Sequence, residues 1–268
     1  MSDSPNTGPK TPADMKSTGL GALASRALSV VASRGGRGTR PLREGFVFEM
    51  QNVALSFERR SFAPVLGRMT EAGIGPEEIA DRYVPALARR LGDLWCEDEM
   101  SFAEVTIGTA RLMGLLRDLG PEWRADVTLD GDAGAVLLLV AHDVHHTLGA
   151  TVLAGQLRRR GLSVRSGIGL RPEEVGRLLV QARFDAVFVS SSRGENLETL
   201  RKLVDCVRKA ASPVPPIVLG GTILDVHDLA DLKALVGADL VTCDSDEALE
   251  ICGLTIPSRT GARRLRGT

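Results

Sequence analysis

Residues 133–167 read AGAVLLLVAHDVHHTLGATVLAGQLRRRGLSVRSG. An apolar run, Ala133–Val140, gives way to a polar turn, then to an amphipathic stretch, Thr147–Arg160, and then to a second short run, Ser163–Gly167. The spacing predicts strand, helix, strand. The alternation continues with a helix at Pro172–Ala182, a strand at Ala186–Ser190, a helix at Leu197–Ala210 and a strand at Pro216–Leu219. It ends with a helix at about Leu224–Val236 and a last strand at Leu240–Cys243. Strands that are apolar on both faces belong to a parallel sheet covered by helices on both sides. The five units predict an α/β fold, a flavodoxin- or Rossmann-like doubly wound parallel sheet of five strands. Ligands of such sheets bind beyond the carboxyl ends of the strands, so chemistry is expected in the loops after Val140, Ser190 and Leu219.

Upstream the period changes to that of helices. Phe46, Met50, Val53, Ala54 and Phe57 form one apolar stripe and Phe62, Val65, Leu66 and Met69 another, both ending before Gly73. Gly75-Pro76-Glu77-Glu78 reads as a helix start, with Pro in the first turn and carboxylates at the positive end of the dipole, and that helix is expected to reach about Leu94. Ser101 and Glu104 have capping-box spacing and open a fourth helix that runs to Leu119. A small four-helix bundle is therefore expected ahead of the α/β part. The expected organisation is a disordered basic leader at 1–45, a helical cap at 46–120, an α/β ligand-binding domain at 130–255 and a basic flexible tail at 256–268.

Composition narrows the function classes. The 268 residues are 43% apolar and 25% charged, the balance of a globular protein, and no apolar run approaches the length that spans a bilayer. No export signal is apparent, and the expectation is a cytoplasmic protein. Cys96, Cys206, Cys243 and Cys252 are scattered without a C-x-x-C pair, which predicts reduced, structural thiols and no zinc site. A net charge of −1 hides basic ends: Arg34, Arg37, Arg40 and Arg43 in the leader, and Arg263, Arg264 and Arg266 in the tail. Such ends can contact nucleic acid, although solvated tails are the commoner outcome and no groove-reading motif accompanies them.

The loop after the first strand carries His142, His145 and His146, three of the four histidines in the chain, together with Asp143. In the plain reading this is a hydrated turn with Asp143 or Thr147 capping the next helix. Imidazole is also the commonest transition-metal ligand and a neighbouring carboxylate fixes its tautomer, so the density of histidine points to a metal or metallocofactor. The loops Ser190-Ser191-Ser192-Arg193-Gly194 and Gly220-Gly221-Thr222 add a floor of small residues. Neither a dinucleotide fingerprint nor a P-loop is present.

These segments, VLLLVAHDVHHTLGATVLAGQLRRRGLSV, VFVSSS and IVLGGT, resemble the cobalamin-binding domain of methionine synthases, mutases and CarH-type photoreceptors, which carries D-x-H-x-x-G, S-x-L and G-G. Asp143-Val144-His145 matches the first half of the first motif and His146-Thr147-Leu148-Gly149 the second, with one residue too many between them. Two candidate metal ligands result, His145 and His146, with His145 slightly preferred. The resemblance implies a histidine below cobalt and a cofactor tail in a slot beside Ser190, Ser191, Gly220, Gly221 and Thr222. Ser192 stands where Leu is usual. Trp95, with Glu104 nine residues on, resembles the cap segment of the CarH type without its upper histidine; the plain alternative is a core aromatic between helices.

Phe46 to Cys252 is most similar to the AerR/PpaA family of photosynthetic bacteria. The resemblance implies a non-enzymatic, light-responsive transcriptional regulator. It would act as antirepressor toward a CrtJ/PpsR-type repressor of photosynthesis genes, with hydroxo-, methyl- or adenosylcobalamin as cofactor. Two further readings stay open: a haem sensor using the same histidines, and a corrinoid carrier serving a methyltransferase chain.

Overall fold

The computed structural model describes residues 41–56, 58, 61–120, 134–141 and 147–254. Nearly all of the described residues belong to one compact unit, which begins at Glu44. The basic leader, the tail and the histidine loop at 142–146 lie outside the described residues.

Four helical stretches come first. They are α1 (Glu44–Leu55), α2 (Ala63–Glu71), a composite α3 made of Pro76–Glu78, a π turn at Ile79–Tyr83 and Val84–Cys96, and α4 (Phe102–Leu119). Met50, Ala54, Met69, Val84, Leu87, Leu91, Leu112 and Leu116 are fully buried and form their core. A Cβ at Gly108 would lie 2.8 Å from Leu91 Cδ1, so the glycine lets α4 approach α3 closely. Arg111 Nη1 donates to the carbonyls of Val53 (3.1 Å), Ala54 (2.9 Å) and Ser56 (2.6 Å), closing the end of α1, where Ser56 N also donates to Val53 O at 3.4 Å. The expected capping box forms: Ser101 Oγ accepts from Glu104 N at 3.3 Å, and Glu104 Oε2 accepts from Ser101 N at 2.9 Å. The π turn is a departure from the uninterrupted helix expected from Gly75 onward. The apolar stripe is continuous across it, and one extra residue per turn does not disturb the pattern read from sequence.

The second part alternates as expected: β1 (Ala135–Val140), α5 (Leu148–Arg159), β2 (Ser163–Ile168), α6 (Pro172–Gln181), β3 (Ala186–Ser191), α7 (Leu197–Ala210) and β4 (Ile217–Gly221). A 3-10 turn (Thr222–Asp225), α8 (Leu229–Val236), β5 (Leu240–Val241) and α9 (Ser245–Ile251) complete it. All strand pairs are parallel, in the order β2-β1-β3-β4-β5. Alternate side chains serve opposite faces. Leu137, Leu139, Val187, Val189, Ile217 and Leu219 pack with Val175, Leu200, Val204 and Leu232, whereas Val136, Leu138, Val140, Phe188 and Val218 pack with Ala150, Ala154, Leu157 and Leu249. Both faces are buried, which is why these strands read as unbroken apolar runs.

Two expectations need correction. The helix expected at Leu224–Val236 is divided, because Asp228 accepts hydrogen bonds from the N–H groups of Ala230 (2.9 Å) and Asp231 (3.4 Å) and starts a new helix there. The last helix, α9, follows the strand at which the expected elements end. Its signal lies in Asp244, which caps Asp246 N (2.8 Å) and Glu247 N (3.2 Å).

Three consecutive arginines at the end of α5 fasten separate elements. The buried Arg158 donates to Val164 O at 3.1 Å, Arg159 pairs with Asp81 in the π turn, and Arg160 pairs with Asp246 of α9 at 2.6 Å. The helical segment is thereby joined to the α/β part, and α3 and α4 pack against α5. Among the described residues no helix is long and apolar enough to cross a membrane.

Candidate functional site

The strand order reverses between β1 and β3: the chain leaves β1 for β2 on one side, and leaves β3 for β4 on the other. The carboxyl ends of these two strands therefore flank a crevice. The loop carrying Asp143, His145 and His146 starts from the β1 side of that crevice, after Ala141, and itself lies outside the described residues. The described neighbours converge on the same edge. Thr147, Leu148 and Gly149 begin α5, Ser190 and Ser191 end β3, and Gly220, Gly221 and Thr222 end β4.

Each has a distinct local role. A Cβ at Gly149 would face Ser190 Oγ at 4.0 Å, with nothing else within that distance among the described residues. Gly149 thus turns no side chain toward Ser190. Leu148 is buried, as is Ser191, whose hydroxyl donates to Gly220 O at 3.2 Å and ties β3 to β4. Thr147 occupies the N-cap position of α5, but its side chain does not cap the helix, contrary to one of the two capping expectations. Its carbonyl accepts instead from Thr151 N (2.9 Å) and Thr151 Oγ1 (3.0 Å). Thr222 Oγ1 accepts from Arg193 N at 3.2 Å, joining the loops after β3 and β4.

Two residues of the β3–α7 loop that no sequence motif marks as functional shape this edge. Glu195 Oε2 accepts from Ser192 N at 2.7 Å, while its Oε1 is buried with no hydrogen-bond partner among the described residues. At position 192 the loop is held by this carboxyl, where a leucine would use apolar packing. Burial raises the Glu195 carboxyl to about 7, against the Ser192 N–H that pulls it down. The folded chain thus favours the protonated acid, and its stability falls as pH rises from the ordinary value of 4.5 through about 7. Unfolding free energies from urea titration at pH 5 and pH 8 are expected to differ by about 1 kcal/mol more in the native chain than in Glu195→Gln. Equal pH slopes in the two proteins would contradict this assignment.

Arg193 is the second residue. Its Nη2 lies 3.1 Å from Asp225 Oδ2, in the turn after β4, and its Nη1 lies 3.4 Å from Asp93 Oδ1, on α3. The bond to Asp225, with the charges of Asp225 and Asp93, raises the guanidinium pKa further and holds Arg193 in its charged form, against partial burial. The last turn of α3 is therefore tied to the floor loops. Trp95 lies two residues beyond Asp93, is 43% exposed, and its ring packs at a tilt against Phe102 with centroids 6.3 Å apart. It is not a core aromatic. Glu104 is engaged in the capping box, and its hydrogen bonds with Ser101 hold its carboxyl below the usual range.

The small residues at the ends of β3 and β4 and at the start of α5 thus border the switch-point crevice. Residues 134–252 match the family model of the B12 binding domain. The chain is 37% identical over 173 residues, 65% of its length and 89% of the relative's, to an uncharacterized 20.5 kDa protein in the bchF-crtJ intergenic region of Rhodobacter capsulatus. The chain belongs to the family of that protein, the cobalamin-binding AerR/PpaA type that its histidine loop resembles. Among solved structures it is similar to a monomethylamine corrinoid protein of Methanosarcina barkeri, with a TM-score of 0.62 at 15% identity, covering 80% of this chain and 99% of that one. That likeness is one of fold and includes the helical segment.

Proposed function

We propose that the chain is a cobalamin-dependent, light-responsive regulator without a catalytic reaction of its own, acting in the cytoplasm as antirepressor toward a CrtJ/PpsR-type repressor. The observation that carries this reading is the position of the Rhodobacter relative, between bchF and crtJ, beside the gene of such a repressor. The residues present fit the cofactor: Gly149 puts no side chain into the space before Ser190, and His145 or His146, in the sequence between β1 and α5, would offer an imidazole. When bound, cobalamin would supply an exchangeable, light-sensitive upper ligand. The chain's part is to hold the group and pass a change of ligation to the helical segment as a two-state shift. Direct DNA contact would come from the arginines of the basic leader and tail.

The test is an absorption spectrum of protein passed through gel filtration after incubation with hydroxo-, methyl- or adenosylcobalamin in dark and light, with haemin in parallel. Retained corrin bands that fall roughly tenfold or more in His145→Ala or in His146→Ala assign cofactor and ligand together. Haem has no support from the family match, and a chain that retains haemin but no corrin would overturn the proposal. The loaded protein is further expected to release a CrtJ/PpsR-type repressor from its operator in one light state. The fold shared with the corrinoid protein favours a carrier as second reading. Retention of methylcobalamin with no effect on the repressor would select it.

A further inference from the structure

Helix α3 is fastened to the α/β part by ion pairs near its two ends, and the two are unequal. At the start, Asp81 sits in the π turn and pairs with Arg159, with side-chain exposures of only 26% and 15%. Twelve residues on, and roughly 18 Å along the axis, Asp93 pairs with Arg193, with exposures of 56% and 47%. A shielded pair inside a packed turn holds firmly, while an exposed pair contributes little and exchanges readily with water. Its partner Arg193 is itself built into the floor of the crevice, through Asp225 at 3.1 Å and through the bond from its N–H to Thr222 Oγ1 at 3.2 Å. A displacement of the loops after β3 and β4 therefore shifts the arginine relative to Asp93 and makes or breaks this weak pair at the last turn of α3, which leads to Trp95 and the loop at 97–99.

We propose that Arg193 is a positioning residue, a latch through which the state of the crevice floor sets the pose of the end of α3, with the Asp81–Arg159 pair in the π turn as pivot. A π turn suits the pivot, since its wider winding has no i→i−4 ladder to hold it straight. This inference rests on the cobalamin reading for what fills the crevice.

Amide hydrogen exchange of the full chain, with and without hydroxocobalamin, tests it, with corrin absorption after gel filtration as an independent record of uptake. In the wild type, exchange at residues 94–99 is expected to change on addition of hydroxocobalamin. In Asp93→Asn that change is lost while uptake persists, and without cobalamin the same amides exchange about threefold faster than in the wild type. Arg193→Ala abolishes the change as well, and Arg193→Lys restores part of it. A merely structural surface pair would leave the cobalamin-dependent change intact in Asp93→Asn, and that result overturns the latch. Uptake by the wild type with no change at 94–99 overturns it too. If the wild type takes up no corrin, the cofactor reading falls and the latch falls with it.

Discussion

Replacing Gly221 by alanine is expected to lower the unfolding free energy by about 3 kcal/mol or more, the largest loss anticipated for a one-carbon change in this chain. Gly221 ends β4 with φ +108° and ψ −173°, a region open in practice to glycine alone. A Cβ there would stand 2.0 Å from Ser191 O and 2.9 Å from Ser191 N, atoms of the paired strand that cannot move without breaking the register Ser191↔Gly221. The clash and the backbone strain add, because relieving one requires distorting the other. Gly194→Ala, three residues beyond Ser191 with nothing within 4 Å of its Cβ position, serves as control and should stay within about 0.5 kcal/mol. Urea denaturation of both variants decides the matter. A Gly221→Ala midpoint equal to that of the control would mean that the ends of β3 and β4 are looser than their hydrogen bonds indicate.

The sheet is readable because each of its central strands is apolar on both faces, a pattern that depends only on neighbours in sequence. Val136 through Val140 alternate between two cores, yet every one is buried, so composition alone marks the strand. The short elements are harder. β5 has two residues and α9 seven, too few for a period to show, and α9 is signalled only by Asp244 with Glu247 three residues later. At the candidate site the small residues after β3 and β4 are legible, since glycine and serine at strand ends mark places where backbone or ligand comes close. Arg193 is not, because its partners lie 100 residues upstream and 32 downstream, at separations that no periodic pattern encodes. Glu195 is likewise hidden: an acid in a loop reads as solvated until the fold buries one of its oxygens. The same limit makes Trp95 ambiguous in sequence, and only its exposure separates a core role from a surface one.

Gly149→Leu is expected to weaken cobalamin retention by roughly tenfold or more without destabilising the chain. Its neighbours show the contrast: Leu148 and Ala150 are buried, whereas Gly149 is exposed and its Cβ direction points across the crevice to Ser190 Oγ at 4.0 Å. A methyl group fits in ordinary contact, so Gly149→Ala should bind corrin as the native chain does. A leucine side chain would extend into the gap between α5 and β3, the volume that the proposed tail requires, while its backbone conformation in the first turn of a helix carries no strain. Helix propensity even favours the substitution by up to about 1 kcal/mol, so loss of binding cannot be ascribed to unfolding. The measurement pairs corrin absorbance after gel filtration with a urea midpoint. A Gly149→Leu chain that elutes with a full complement of corrin and a native midpoint would show that the cofactor does not enter between α5 and β3, and the site would have to be sought on another edge of the sheet.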